Sequence, residues 1–227
     1  MPPELSAVAA ALAAYLVGSL SFAVIVSRVM GLADPRSYGS GNPGATNVLR
    51  TGNRAAAVLT LALDALKGFV PVWLVAAFGP RWGLGEGAAA LVGLAAFLGH
   101  LWPVYFRFRG GKGVATAAGV LFGFNPWLGL ASLATWAIIA AFFRYASLAS
   151  IVAAAFAVFY QLLIWGGGSI AFSVIVMSLL LVWRHERNIR KLLAGTESRL
   201  GQQAHAAPQS HEAAQRHRAA HRPKAHK

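Results

Sequence analysis

The sequence predicts an all-α integral membrane protein with seven transmembrane helices, some of them short, and its polar motifs on the cytoplasmic side. Three observations carry this. Of 227 residues, 57% are hydrophobic and only 12% charged, against about 25% charged in an average globular domain. Long stretches of the chain hold almost no charge. The net charge of +13 is also unevenly spread, with 20 Lys+Arg against 7 Asp+Glu. In a soluble protein that excess would suggest nucleic acid. In a chain this apolar it marks cytoplasmic loops facing anionic lipid, and no nucleic-acid partner is expected. Low hydrophobicity, the requirement for disorder, is missing. With no cysteine, disulfides, thiolate zinc sites and cysteine nucleophiles are excluded.

The apolar runs are Leu5–Ser27, Ala55–Gly79, Gly87–Phe106, Val114–Phe124, Pro126–Phe143, Tyr145–Trp165 and Ser169–Trp183. Several reach the roughly 20 residues that span about 30 Å of hydrocarbon. The first is not expected to be a removable signal peptide, because Met-Pro-Pro-Glu lacks a positive n-region. Asn125-Pro126 and Gly166-Gly167-Gly168 interrupt two longer stretches. Accepting both as turns, with the loop of Arg28, Arg36, Arg50 and Arg54 in the cytoplasm, puts eighteen of the twenty basic residues inside. Only Lys67, within a span, and Arg81, outside, escape. The expected topology is an outside amino terminus and an inside carboxyl terminus. Val114–Phe124 would rise only about 16 Å and Ser169–Trp183 about 22 Å. The adjoining polar segments Arg107–Gly113 and Arg184–Asn188 should therefore sit partly at membrane depth, shielded by protein. Residues 1–200 read as one polytopic domain, and 201–227 as a disordered basic tail with five histidines.

Three polar motifs fall on the cytoplasmic side. The first, Gly39-Ser40-Gly41-Asn42-Pro43-Gly44-Ala45-Thr46-Asn47-Val48-Leu49-Arg50, concentrates turn residues whose backbone N–H groups can converge on an anion. Ser40, Asn42, Thr46 and Asn47 add neutral hydrogen-bonding groups, and Arg50 a fork that matches phosphate. In the second, Arg107-Phe108-Arg109-Gly110-Gly111-Lys112-Gly113 leads into a helix. A glycine turn, a lysine and a helix start suit a phosphate, although the P-loop spacing fails; topology marking explains the charges but not the glycines. The third runs from His185 to Glu197. If helical, His185 and Asn188 share a face at i, i+3, while Arg187, Arg190 and Lys191 would also suit a helix lying on anionic lipid. Asp64 and Lys67, at i, i+3 within the second span, read as a structural ion pair, and His100 as a hydrogen-bonded core histidine. Tyr145, Ser147 and Ser150 open the sixth span on the same side, where their hydroxyls can cap the helix or face the site.

Two anion cradles beside a bilayer imply two phosphorylated groups, one carrying a lipid chain. Metal chemistry is disfavoured, because Asp34, Glu186, Glu197 and Glu212, the cytoplasmic carboxylates, are not paired at ligand spacing. A transporter for a phosphorylated anion would use similar cradles, yet no repeat of two halves is visible. A non-catalytic scaffold would not need the glycine loops.

These motifs resemble those of the bacterial acyl-phosphate:glycerol-3-phosphate acyltransferases. Residues 39–48 resemble the family's first motif and Gly110-Gly111-Lys112-Gly113-Val114-Ala115-Thr116 its second. His185, Asn188, Ile189, Leu192 or Leu193, Gly195 and Glu197 resemble the third, and the likeness covers roughly residues 5 to 200. The resemblance implies transfer of an acyl group from acyl phosphate to the 1-hydroxyl of glycerol 3-phosphate. The products would be lysophosphatidic acid and phosphate, as in the first committed step of phospholipid synthesis. It further implies a multi-pass protein of the cell inner membrane, seven spans, a cytoplasmic site, membrane lipid as surroundings and no cofactor or metal. The His-x-x-x-x-Asp motif of other glycerol-phosphate acyltransferases is absent from the family and from this chain. The residues expected to be catalytic are Ser40, Arg50, Lys112, His185 and Asn188. Those expected to bind substrate or phosphate are Gly39, Gly41, Asn42, Gly44, Thr46, Asn47, Gly110, Gly111, Gly113, Ser150 and Glu197. The base is either His185 or a phosphate oxygen of the substrate.

Overall fold

The computed structural model describes residues 2–201; the tail expected beyond Gly201 otherwise lies outside the described residues. Within them the chain is helical: α1 Pro3–Gly18, α2 Phe22–Val29, α3 Ala45–Val48, α4 Arg54–Phe78, α5 Glu86–Leu101, α6 Val114–Phe124, α7 Pro126–Phe143, α8 Ala146–Tyr160, α9 Ser169–Arg184 and α10 Glu186–Leu193. A π-helical turn, Gln161–Trp165, extends α8. Four segments are long and apolar enough to cross a bilayer: Arg54–Trp82, Glu86–Phe106, Pro126–Phe143 and Ala146–Trp165. Two bent pairs pass the same test together, α1 with α2 (42°) and α9 with α10 (57°), and α6 is a shorter apolar helix.

Local chemistry sets the helix starts. Asn53 accepts from the Ala56 amide at 2.9 Å and caps α4. Asn125 accepts from the amides of Trp127 and Leu128 and caps α7, whose first residue is Pro126. Proline there lacks an N–H that the first turn could not have bonded. The two interruptions expected at Asn125-Pro126 and at the triple glycine are therefore real breaks, between α6 and α7 and between α8 and α9.

The first apolar run behaves differently from expectation. Leu5–Ser27 is not one helix: the chain breaks between Gly18 and Phe22 and bends. The break is satisfied from 47 residues away, where the Lys67 ammonium donates to the Leu20 carbonyl at 2.6 Å. A break that frees a carbonyl inside hydrocarbon needs such a partner. Lys67 also pairs with Asp64 at 2.8 Å, and both are buried. Ser19 and Tyr15 tie down the same region, Tyr15 donating to the Trp102 carbonyl at 2.7 Å.

Small residues let the helices meet backbone to backbone, as is usual where lipid offers no hydrophobic driving force. A Cβ on Gly18 would overlap the Ala96 carbonyl, and one on Gly99 the Tyr15 carbonyl, where α1 crosses α5. Gly68 and Gly119 do the same for α4 and α6, against the carbonyls of Thr116 and Ala65. Phe97, Leu101, Leu128 and Val72 are fully buried between helices. The outer face is equally apolar, with Leu12, Ile138, Phe142 and Leu179 more than half exposed. Such a surface suits lipid and would aggregate in water.

Candidate active site

The three polar motifs, far apart in sequence, meet at one end of the bundle. The second motif sits in the middle. Gly111 donates its amide to the His100 carbonyl at 3.1 Å, and a side chain on Gly110 or Gly111 would collide with His100. The glycines are thus required for the loop to lie flat on the end of α5. Arg184, at the end of α9, donates from Nε to the Gly111 carbonyl (3.1 Å) and from an Nη to the Gly110 carbonyl (2.9 Å). Gly113 caps α6 with φ +85, a conformation open to glycine at no steric cost.

This anchoring aims Lys112 at α10. Its ammonium donates to Asn188 Oδ1. Asn188 Nδ2 donates to Glu197 Oε1 at 2.7 Å, and Ser147 Oγ donates to the same oxygen at 2.8 Å. Burial drives the Lys112 amine down to about 8, with Glu197 opposing and Arg184, Arg50 and Lys191 adding to the fall. Four cations therefore act on one spot that holds a single carboxylate, an arrangement that favours a bound anion.

His185 lies beyond the end of α9, in the bend before α10, and is 2% exposed. Its Nδ1 stands 2.8 Å from the Leu181 carbonyl. A carbonyl can only accept, so Nδ1 carries the proton and Nε2 is left as an acceptor. Burial, and then the Lys112 charge, push this imidazole down to about 4.

The first motif folds around Asn47. Asn47 Oδ1 accepts from the Ser40 amide at 3.1 Å, and Nδ2 donates to the carbonyls of Pro35 (2.7 Å) and Tyr38 (3.2 Å). Gly39 takes φ +57, and a Cβ there would overlap Asn47 Oδ1 and approach Arg50 Nη1 at 3.0 Å. Pro43 touches the second motif, its carbonyl 3.0 Å from where a Gly111 Cβ would lie. Arg50 donates to Ser198 Oγ, next to Glu197.

The glycerol-3-phosphate acyltransferase family model matches residues 8–195. The chain belongs to this family. A glycerol-3-phosphate acyltransferase of Ralstonia pickettii is 62% identical over 91% of this chain and all of its own length. Another, from Cupriavidus necator, is 64% identical over 85% of this chain and 96% of its own. Among solved structures, PlsY (YgiH), an integral membrane glycerol 3-phosphate acyltransferase, superposes in its glycerol 3-phosphate form with a TM-score of 0.81 at 41% identity. That match covers 86% of this chain and 96% of PlsY. Its lysophosphatidic acid form gives 0.79 at 40% identity.

Within this family member the expected residues divide. Lys112, Asn188, Glu197, His185 and Arg50 come together with the glycines of the second motif. Ser40 and Thr46 are exposed on the first loop beside them. Asn47 does not face an anion, because its amide is spent holding its own loop. The amides of Gly41, Asn42, Gly44 and Asn47 are largely turned inward too, to Tyr38, Ser40, Asn42 and Gly44. The backbone cradle expected from Gly41 through Asn47 is thus mostly occupied. Ser150 lies one turn along α8, donating to the Ala146 carbonyl and accepting from Trp136. Ser147 is the α8 hydroxyl that reaches the network. Sequence reading missed Ser198 and the clamp made by Arg184. The first shows no residue-type signal, and the second was read as a topological charge opening a polar segment at membrane depth, without its carbonyl partners.

Proposed function

We propose that this family member transfers an acyl group from acyl phosphate to the 1-hydroxyl of glycerol 3-phosphate, releasing lysophosphatidic acid and phosphate. The observation that carries the reading is the convergence of Lys112, Asn188, Glu197 and Arg50 on one cation-rich spot against an apolar bundle. One substrate phosphate lies against Lys112, whose ammonium trades Asn188 for a full negative charge. Arg50, whose side chain lies where a Gly39 side chain would stand, takes the other phosphate with Ser40. The backbone and side chains around Thr46, Asn42 and Gly44 line that loop.

The 1-hydroxyl oxygen attacks the acyl carbonyl carbon, forming the ester C–O bond. The anhydride C–O bond breaks and its electron pair leaves with phosphate. Phosphate is already a good leaving group, so positioning and charge neutralisation supply most of the acceleration. His185 is a weak base here. Protonating a group with a pKa near 4 at pH 7 costs about 4 kcal/mol. A phosphate oxygen, with a second pKa near 6, takes the hydroxyl proton instead, and His185 Nε2 accepts a hydrogen bond that orients glycerol 3-phosphate. The site lies at the end of the bundle that carries most of the loop arginines, which supports a cytoplasmic site in an inner-membrane protein. Seven spans with an outside amino terminus fit the same charges.

The test is purified protein given glycerol 3-phosphate with either acyl phosphate or an acyl thioester. Phosphate and lysophosphatidate from the acyl phosphate alone are expected. Turnover of the thioester alone would overturn the donor assignment.

A further inference from the structure

The two glycine loops also wall a second concavity, of about 770 Å³, that the proposed chemistry does not use. Arg28, Arg36, Tyr105, Phe106, Arg107 and Arg109 line it. Gly41 and Gly110, expected among the binding residues, edge it through their backbone, but none of the expected catalytic residues Ser40, Arg50, Lys112, His185 or Asn188 lines it.

Its charge is only partly compensated, by Asp34, whose carboxyl is lowered by Arg36 and also feels Arg28. Arg36 is paired with Asp34 at 2.6 Å and lies 5.8 Å from the Phe106 ring centre. Among the described residues, Arg28, Arg107 and Arg109 make no ion pair and no side-chain hydrogen bond. Like charges gathered around one space repel. Marking the cytoplasmic side needs only that the charges be present, not that they converge. The backbone is also set against its preference. Arg107 (φ 53) and Phe108 (φ 59) are consecutive non-glycine residues in the left-handed region, a conformation retained where surroundings or function impose it. The turn leaves both arginines lining the cleft and Phe108, between them in sequence, 57% exposed, while Tyr105 in the lining is 55% exposed.

We infer that this cleft is a second anion site, taking a phosphate-bearing group at the membrane surface. Guanidinium forks match phosphate oxygens, and exposed aromatic side chains beside them suit the bilayer interface. The shared chemistry is a phosphate, supplied by an anionic phospholipid headgroup or by free phosphate. The inference stands apart from acyl transfer, and binding tests it.

The full chain carrying Lys112→Ala, so that the main site contributes little, is purified in mixed micelles of phosphatidate and phosphatidylcholine in equal amounts. Retained lipid is counted by native mass spectrometry, with and without excess inorganic phosphate. We expect about tenfold preference for phosphatidate, as strong phosphate contacts give. Adding Arg28→Gln, Arg107→Gln and Arg109→Gln should abolish it, and Arg109→Gln alone should cut it about threefold. Persistence in excess phosphate identifies a lipid headgroup. Displacement, with phosphate binding lost in the triple variant, identifies free phosphate. A control removes three cations that lie in neither site, Arg54→Gln, Arg81→Gln and Arg144→Gln, and should leave the preference unchanged. An equal fall in that control, or the same retention with and without the cleft arginines, overturns the site. If the triple variant does not fold, Arg109→Gln decides.

Discussion

Glu197 fixes which way Asn188 points. The carboxylate takes the amide N–H at 2.7 Å, which turns Asn188 Oδ1 toward the Lys112 ammonium. An asparagine between a cation and an anion has only one satisfied orientation, so the carboxylate positions the lysine at second hand.

Glu197→Gln should therefore lower kcat/KM by ten- to a hundredfold, the range of a charged hydrogen bond worth about 1.5–3 kcal/mol. Glu197 is also the group that holds the Lys112 charge up, so the alkaline limb of the pH profile should move to lower pH in the same variant. An unchanged limb would mean that Glu197 does not act through Lys112.

In the wild-type protein the ammonium is the form that holds phosphate. It persists below about 8 and is lost above. The expected kcat/KM falls about tenfold per pH unit above that point, because this ratio reports the free enzyme. The measurement is phosphate release from pH 6.5 to about 9.5; a flat profile would count against Lys112.

Lys112→Ala should cost 10²–10³ in rate, or about 3–4 kcal/mol, if the contact forms in a dry site. Lys112→Arg should fail too, since a planar fork does not replace a point charge between glycines. Keeping more than about a tenth of wild-type rate would remove Lys112 from the chemistry.

Full activity is expected in excess chelator. Glu197 is already engaged by Asn188 and Ser147, and Asp34 and Glu186 are each paired with an arginine. A strict Mg²⁺ requirement would defeat the proposed mechanism.

Gly119→Val tests the α4–α6 crossing. The added Cβ would overlap the Ala65 carbonyl, and overpacking costs about 1–3 kcal/mol or more. A lower thermal midpoint in detergent is expected. Gly167→Ala, whose Cβ would meet nothing within 4 Å, should leave it unchanged.

Much of this was legible because it is written locally. Apolar runs, the Asn125-Pro126 break, the glycines around Lys112 and the Asp64–Lys67 pair each declare themselves within a few residues. What stayed hidden depends on distant partners. The bend after Gly18 is stabilised by Lys67, and Ser147 differs from Ser150 only in facing Glu197. Asn47 looked like a ligand because its loop is rich in ligands. Only the fold shows that its amide is used on Pro35, Tyr38 and Ser40.

The buried pair on α4 bears on the first span as well. Asp64 and Lys67 enter hydrocarbon, where an unpartnered charge costs about 2.5–3.5 kcal/mol on insertion scales. They answer each other within one helix, but the lysine's remaining bond reaches Leu20, in a segment synthesised earlier. Neither the broken first span nor α4 is therefore satisfied without the other. The break in the opening helix and the charge in α4 are thus one feature: replacing Lys67 would strand both the Asp64 carboxylate and the Leu20 carbonyl in hydrocarbon.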